Sequence, residues 1–219
     1  MRDIFFCCYT YGNFDHVINT VQAHKLVAII FPGDLQAKKP LQDELRMILD
    51  DTDFDADHDN LFISRLAPRN LHAKAVDMAG VRIAGLGGVF RGRVWLPPGD
   101  PVFASPCDLV RSVGSSNLWR NGLMRKLCST IFPVDYFRLM GKRADVLVTH
   151  EAASVHQHGW DAVDALASSL RMRKFLYGHH EDHLYFLRGP CSLLKVTPLA
   201  GSMIDLGQGR CRMLCNFKG

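Results

Sequence analysis

At 219 residues, with 47% hydrophobic and 22% charged side chains, the chain has the make-up of a globular protein able to bury a sizeable core. No apolar run approaches the ~18 residues of a membrane span, and Met1 to Cys8 lacks the form of a signal peptide, so a cytoplasmic location is expected. The formal net charge is +4, and seven cysteines at irregular spacing with no CxxC pair suit reduced thiols better than a disulfide framework or zinc knuckle.

In chain order, Ile4 to Tyr9 reads as a first strand, Gly12-Asn13 as a turn, and Phe14 to His24 as a helix with Phe14, Val17, Ile18 and Val21 on one face. Leu26 to Phe31 is an unbroken apolar, β-branched run stopped by Pro32 and Gly33, which predicts a strand buried on both faces. Asp34 then stands at its C-terminal tip, where open α/β sheets receive ligands. The opening is therefore β-α-β, with parallel strands and a right-handed crossover. Pro40 to Asp50 predicts an amphipathic helix, and the acidic run Asp50 to Asp59 follows. Ala75 to Asp77 and Val81 to Leu86 predict a hairpin around Met78-Ala79-Gly80. The cluster Gly85-Leu86-Gly87-Gly88 lacks the spacing of a dinucleotide or phosphate loop and reads as tight strand-end geometry.

From Arg91 to Arg143 the chain carries nine Lys and Arg against three Asp, a local charge of +6 that leaves the remainder at −2. Its first half reads as proline-rich loop, while Asn121 to Ile131 and Val134 to Met140 read as helical. A solvated surface and an electrostatic funnel for a phosphate-bearing substrate both account for such a stretch. Beyond it, Ala144 to Thr149 is a strand ending in His150-Glu151, and Lys174 to Tyr177 a strand ending in Gly178-His179-His180-Glu181. Buried strands thus deliver metal-capable side chains at Asp34, His150 and His179, with Asp57 and His58 on an intervening loop. Such a set could share one divalent metal. Ser192 to Phe217 reads as short strands with glycine turns completing a second sheet.

The order of these segments resembles the calcineurin-like metallophosphoesterase family, whose blocks run DxH, GDxxD, GNH[DE], a strand-end His, then GHxH. Gly33-Asp34 matches the second block and Ala56-Asp57-His58-Asp59 the third, with Asp57 in place of Asn. Thr149-His150-Glu151 matches the fourth, and Gly178-His179-His180-Glu181 the fifth. The resemblance covers roughly residues 4 to 205. It implies an α/β fold of two packed mixed β-sheets flanked by helices, a single domain over residues 1–219 with a basic insertion at about 91–143, and metals at the strand ends.

The departures also carry information. Tyr9-Thr10-Tyr11 stands where the family has DxH, and Glu181 where it has a final His. By the family's scheme the first metal site retains only Asp34 and the remnant Glu181, with Tyr9 and Tyr11 filling the vacated space. The second is complete as Asp34, Asp57, His150 and His179, a carboxylate and imidazole set suited to one Mn, Zn or Fe ion. His58 corresponds to the family's catalytic His and Asp59 would orient it. Arg120, Arg125 and Lys126 would steer phosphate. The expected function is a metal-dependent phosphoesterase, a phosphodiesterase acting on a nucleotide or nucleic acid with a single ion. The alternative is a catalytically degenerate relative that binds a nucleotide, nucleic acid or protein.

Overall fold

The computed structural model describes residues 3–7, 12–24, 26–33, 35–39, 41–44, 54–55, 69–78, 80–119, 122–178, 192–195, 201–205 and 210–214. Strands β1 (Asp3–Phe6), β2 (Leu26–Phe31), β3 (Phe54–Asp55), β9 (Gly201–Asp205) and β10 (Arg210–Leu214) form one sheet in the order β10-β9-β1-β2-β3. A second sheet, in the order β4-β5-β6-β7-β8, contains β4 (Lys74–Met78), β5 (Val81–Leu86), β6 (Val146–Thr149), β7 (Lys174–Tyr177) and β8 (Ser192–Lys195). β1, β2 and β3 run parallel, as do β5 through β8, while β9, β10 and β4 pair antiparallel. The helices are α1 (Asp15–Ala23), α2 (Leu41–Glu44), α3 (Pro106–Ser112), α4 (Pro133–Leu139) and α5 (Asp161–Leu170).

Period-two alternation assigns the strand side chains to layers. Ile4, Phe6, Ala28 and Ile30 of the first sheet meet Ile83, Val146, Val148 and Leu176 of the second, so the sheets pack face to face. The alternate residues Phe5, Cys7, Ile29 and Phe31 turn to the other side, against Phe14 and Val17 around α1 and Leu41 of α2. On the far side of the second sheet, Ala84, Leu86, Leu147, Phe175 and Tyr177 pack against Tyr136 and Leu139 of α4 and Val163, Leu166 and Leu170 of α5. Both central strands are thus buried on two faces, as the unbroken run of β2 predicts.

The basic stretch is built into this last layer. Val94, Trp95, Leu109, Leu127, Ile131 and Phe132 all contribute to its core. The helix expected over Asn121 to Ile131 is not formed. Among the described residues there are a single 3₁₀ turn at Arg125–Leu127, a bridge from Gly122 to Trp119 and another from Thr130 to Val89. Gly122 and the β-branched Thr130 favour these extended pairings over a helix interior. The helix expected from Val134 is present as α4. The proline-rich half also holds α3, whose N-cap Ser105 accepts from the Asp108 amide at 3.3 Å while Pro106 opens the first turn.

Ser192 to Phe217 does not complete one sheet only. β8 extends the second sheet beside β7, whereas β9 and β10 complete the first beside β1. A string of short strands carries no signal for which open edge each will join. The hairpin forms as β4 and β5, and Gly88 after it adopts φ +91°, where an added Cβ would lie 2.9 Å from the Ser129 carbonyl oxygen.

Candidate metal centre at the strand ends

β2 belongs to one sheet, β6 and β7 to the other, and their C-terminal ends meet at His150. This imidazole is fully buried. Its Nδ1 lies 3.1 Å from the Pro32 carbonyl oxygen, which can only accept, so Nδ1 carries a proton. A ring N–H anchored on a backbone carbonyl fixes the tautomer and orientation typical of a metal-ligating histidine.

Gly33 makes room for the ring, and Gly178 lies against it. Gly33 adopts φ +136°, and a Cβ there would fall on the imidazole of His150. A Cβ at Gly178 would lie 3.4 Å from His150 Nδ1 and 3.6 Å from Pro32 Cβ. In the sequence Asp34 follows Gly33 and His179 follows Gly178. The ladder continues to this point, with the His150 amide donating to Leu86 O at 3.4 Å and the Gly178 amide to Thr149 O at 3.2 Å.

Of the expected site residues, Asp34, Asp57, His58, Asp59, His179, Glu181, Tyr9, Tyr11 and Arg120 lie outside the described residues. Arg125 lies on the 3₁₀ turn, and Lys126 beside it is exposed. Among the described residues, no three His, Cys, Asp or Glu side chains are grouped so as to hold a metal ion. The fit of a metal therefore rests on His150, a buried imidazole with Nδ1 anchored on Pro32 and room made by Gly33, together with the residue types Asp34 and His179 that follow Gly33 and Gly178 in the sequence. Those residue types suit a borderline divalent ion.

Two further groups were not singled out in the sequence. Glu151 is buried, and its carboxylate accepts from the Phe90 amide at 2.9 Å and from Trp160 Nε1 at 3.1 Å. It ties the segment after β6 to the segment after β5. The Thr149 hydroxyl donates to the Glu151 carbonyl oxygen within the same turn. His156 stands with its ring centroid 6.4 Å from that of Tyr177, the residue before Gly178, and its Nδ1 accepts from the His158 amide at 3.1 Å. The spacing His156-x-His158, six residues past His150, was the available signal.

At the end of β1, the Cys7 sulfur lies 3.1 Å from His16 Nε2. Burial pushes the Cys7 thiol far up and the His16 imidazole down, so both are neutral. A thiol held protonated is neither nucleophile nor metal ligand.

No protein-family model matches the chain. An uncharacterised protein of Haemophilus influenzae is 34% identical over 198 residues, spanning 85% of this chain and 87% of that one. Among solved structures, the protein TT1561 of Thermus thermophilus covers 97% of each chain at 13% identity with a TM-score of 0.58. A Streptococcus pneumoniae protein described as a predicted phosphoesterase covers 93% of this chain and 83% of its own at 12% identity, with a TM-score of 0.42.

Two mixed sheets face to face with helices on the outer faces are the architecture that the resemblance to the calcineurin-like metallophosphoesterases implies, and the fold is shared with TT1561 over 97% of each chain. Within it, the chain belongs to one family with the Haemophilus influenzae protein. Among the described residues no helix is long and apolar enough to cross a membrane.

Proposed function

We propose that the protein is a metal-dependent phosphodiesterase acting on a nucleotide or nucleic acid, with one divalent ion held by Asp34, Asp57, His150 and His179. The single observation that carries this reading is His150, buried with Nδ1 on the Pro32 carbonyl between Gly33 and Gly178. When bound, the ion supplies a Lewis acid for the phosphoryl oxygens and lowers the pKa of water to near neutrality. His150 keeps its Nδ1 proton on Pro32. His58 passes a ring proton to the leaving oxygen, and Asp59 holds that ring in orientation. Tyr9 and Tyr11 fill the space of a first metal. Arg120, Arg125 and Lys126 draw in the anion.

One observation favours the second reading, a degenerate binding module. The described end of β1 offers only the protonated Cys7 thiol on His16, so nothing described there replaces a missing first-site ligand. Turnover decides between the two. A metal-loaded sample should hydrolyse bis-p-nitrophenyl phosphate slowly. Asp34→Asn should remove both the ion and the activity, whereas His58→Ala should retain the ion and lose about 10²- to 10⁴-fold in rate. An absence of turnover across mono- and diesters in a metal-replete sample would leave the binding module as the better account.

A further inference from the structure

At the opposite end of the second sheet, where β6 and β7 begin, Arg82, Arg143, Arg171 and Arg173 surround a half-open cleft of about 400 Å³. β7 is four residues long, so on the order of 13 Å of strand separates this cleft from the candidate metal centre.

The backbone around the cleft is tied down. The Asp145 amide donates to Arg82 O at 2.7 Å, and its carbonyl accepts from the Arg173 and Lys174 amides at 2.9 and 3.1 Å. The Ala144 amide donates to Leu170 O at 3.1 Å. The arginines are therefore brought together by the ladder itself. Among the described residues the one carboxylate in the lining, Asp145, already accepts the Arg82 amide at 3.0 Å. Arg82 is paired through its guanidinium with Asp77 at 2.9 Å. Among the described residues, no carboxylate is paired with Arg143, Arg171 or Arg173.

Arg171 caps α5 at φ +51°, in the left-handed region that glycine occupies without strain. A cation at this helix end also suits the helix dipole, whereas glycine would take the backbone conformation without strain. Arg171 and Arg173 flank Met172, which is buried in the core, so the two cations stay outside while the residue between them anchors the segment.

We infer that this cleft binds a compact anion carrying two or more phosphate groups, separately from any substrate at the metal centre. Guanidinium forks match phosphate oxygens in pairs, and three without carboxylate partners supply charge for a di- or triphosphate. The volume is that of a small-ligand site. Among the described residues, Ala144 and Leu170 are the apolar ones in the lining, and none there is aromatic for a base to stack on. The ligand is therefore held by its phosphates and not by a base, which favours a compact oligophosphate over a nucleic-acid strand.

The test is calorimetric titration of tripolyphosphate into protein stripped over a chelating resin, so that no ion at the other edge holds the ligand. One site per chain is expected, weakening as salt rises. The variant R143Q/R171G/R173Q should bind about tenfold or more weakly, while R93Q/R111Q, on exposed cations elsewhere, should bind as the parent does. Arg171→Gly alone should weaken binding without lowering the melting temperature, since glycine suits the left-handed position. Equal affinity in the triple variant, or equal weakening in the control, would overturn the site. Displacement of tripolyphosphate by an oligonucleotide at equal phosphate concentration would overturn the compact-anion assignment.

Discussion

The contact between Gly33 and His150 is the narrowest test of the candidate centre. Gly33→Ala adds a Cβ where the imidazole now lies and strains a backbone at φ +136°, so a loss of about 2 to 5 kcal/mol is expected. Chemical denaturation in both His150 backgrounds checks it. The cost should shrink when His150→Ala removes the ring, whereas the same cost in both would show that the two residues do not touch. His16 gives a second measurement at this scale. Burial lowers its pKa from 6.5, against the opposite pull of Asp15 and of a hydrogen bond to Asn13. The unfolded chain then takes up this proton first. Its contribution to stability is present above pH 6.5 and lost as pH falls through the lowered folded value. Unfolding free energies on either side of pH 6.5 should show this slope, and His16→Gln should flatten it. The place of His150 at the end of a strand was legible in the apolar run from Ala144 to Thr149, whereas its complete burial was not. Nor was its anchor on Pro32, because that bond joins residues of different sheets and no local spacing encodes it.

The elements show a similar division. β2, β6 and β7 form where their apolar runs predict, and α1 where its apolar periodicity does. The Asn121 to Ile131 stretch has acceptable helix formers, but pairing of Thr130 with Val89 outweighs a weak local preference. α5 carries a clear apolar face at Val163, Leu166, Ala167 and Leu170, the spacing of one side of a helix. The segment joining β6 to α5 is braced by Glu151. Glu151→Gln removes a charge that accepts from two N–H groups and leaves one of them facing an amide donor or a weaker acceptor, so it should cost about 1 to 3 kcal/mol. Trp160 supplies the readout, since its indole is one of the two donors. An unchanged melting temperature and an unchanged tryptophan spectrum would contradict the brace.

For the whole molecule, the layered fold follows from alternating side chains, and the pairing of distant edges does not. The basic stretch is where the two levels meet, because its apolar residues sit in a core while exposed cations such as Arg93, Arg111 and Lys126 face solvent. If Arg120, Arg125 and Lys126 steer substrate, replacing all three by Gln should lower kcat/KM and flatten its dependence on ionic strength, with kcat little changed. Parallel salt curves for variant and parent would assign the stretch to solubility and packing alone.

The pairing of β1 with β9 bears on how the protein is made. β1 leaves the ribosome well ahead of its antiparallel neighbour, which is synthesised roughly 200 residues later. At about 5 to 20 residues per second that interval is about 10 to 40 s. Throughout it the hydrogen-bonding edge of β1, with Ile4, Phe5 and Phe6 beside it, lacks the strand that covers it in the finished sheet. The nascent chain must therefore carry an adhesive apolar edge through that whole interval, and a chain stalled before β9 presents the edge to any neighbour able to add a strand.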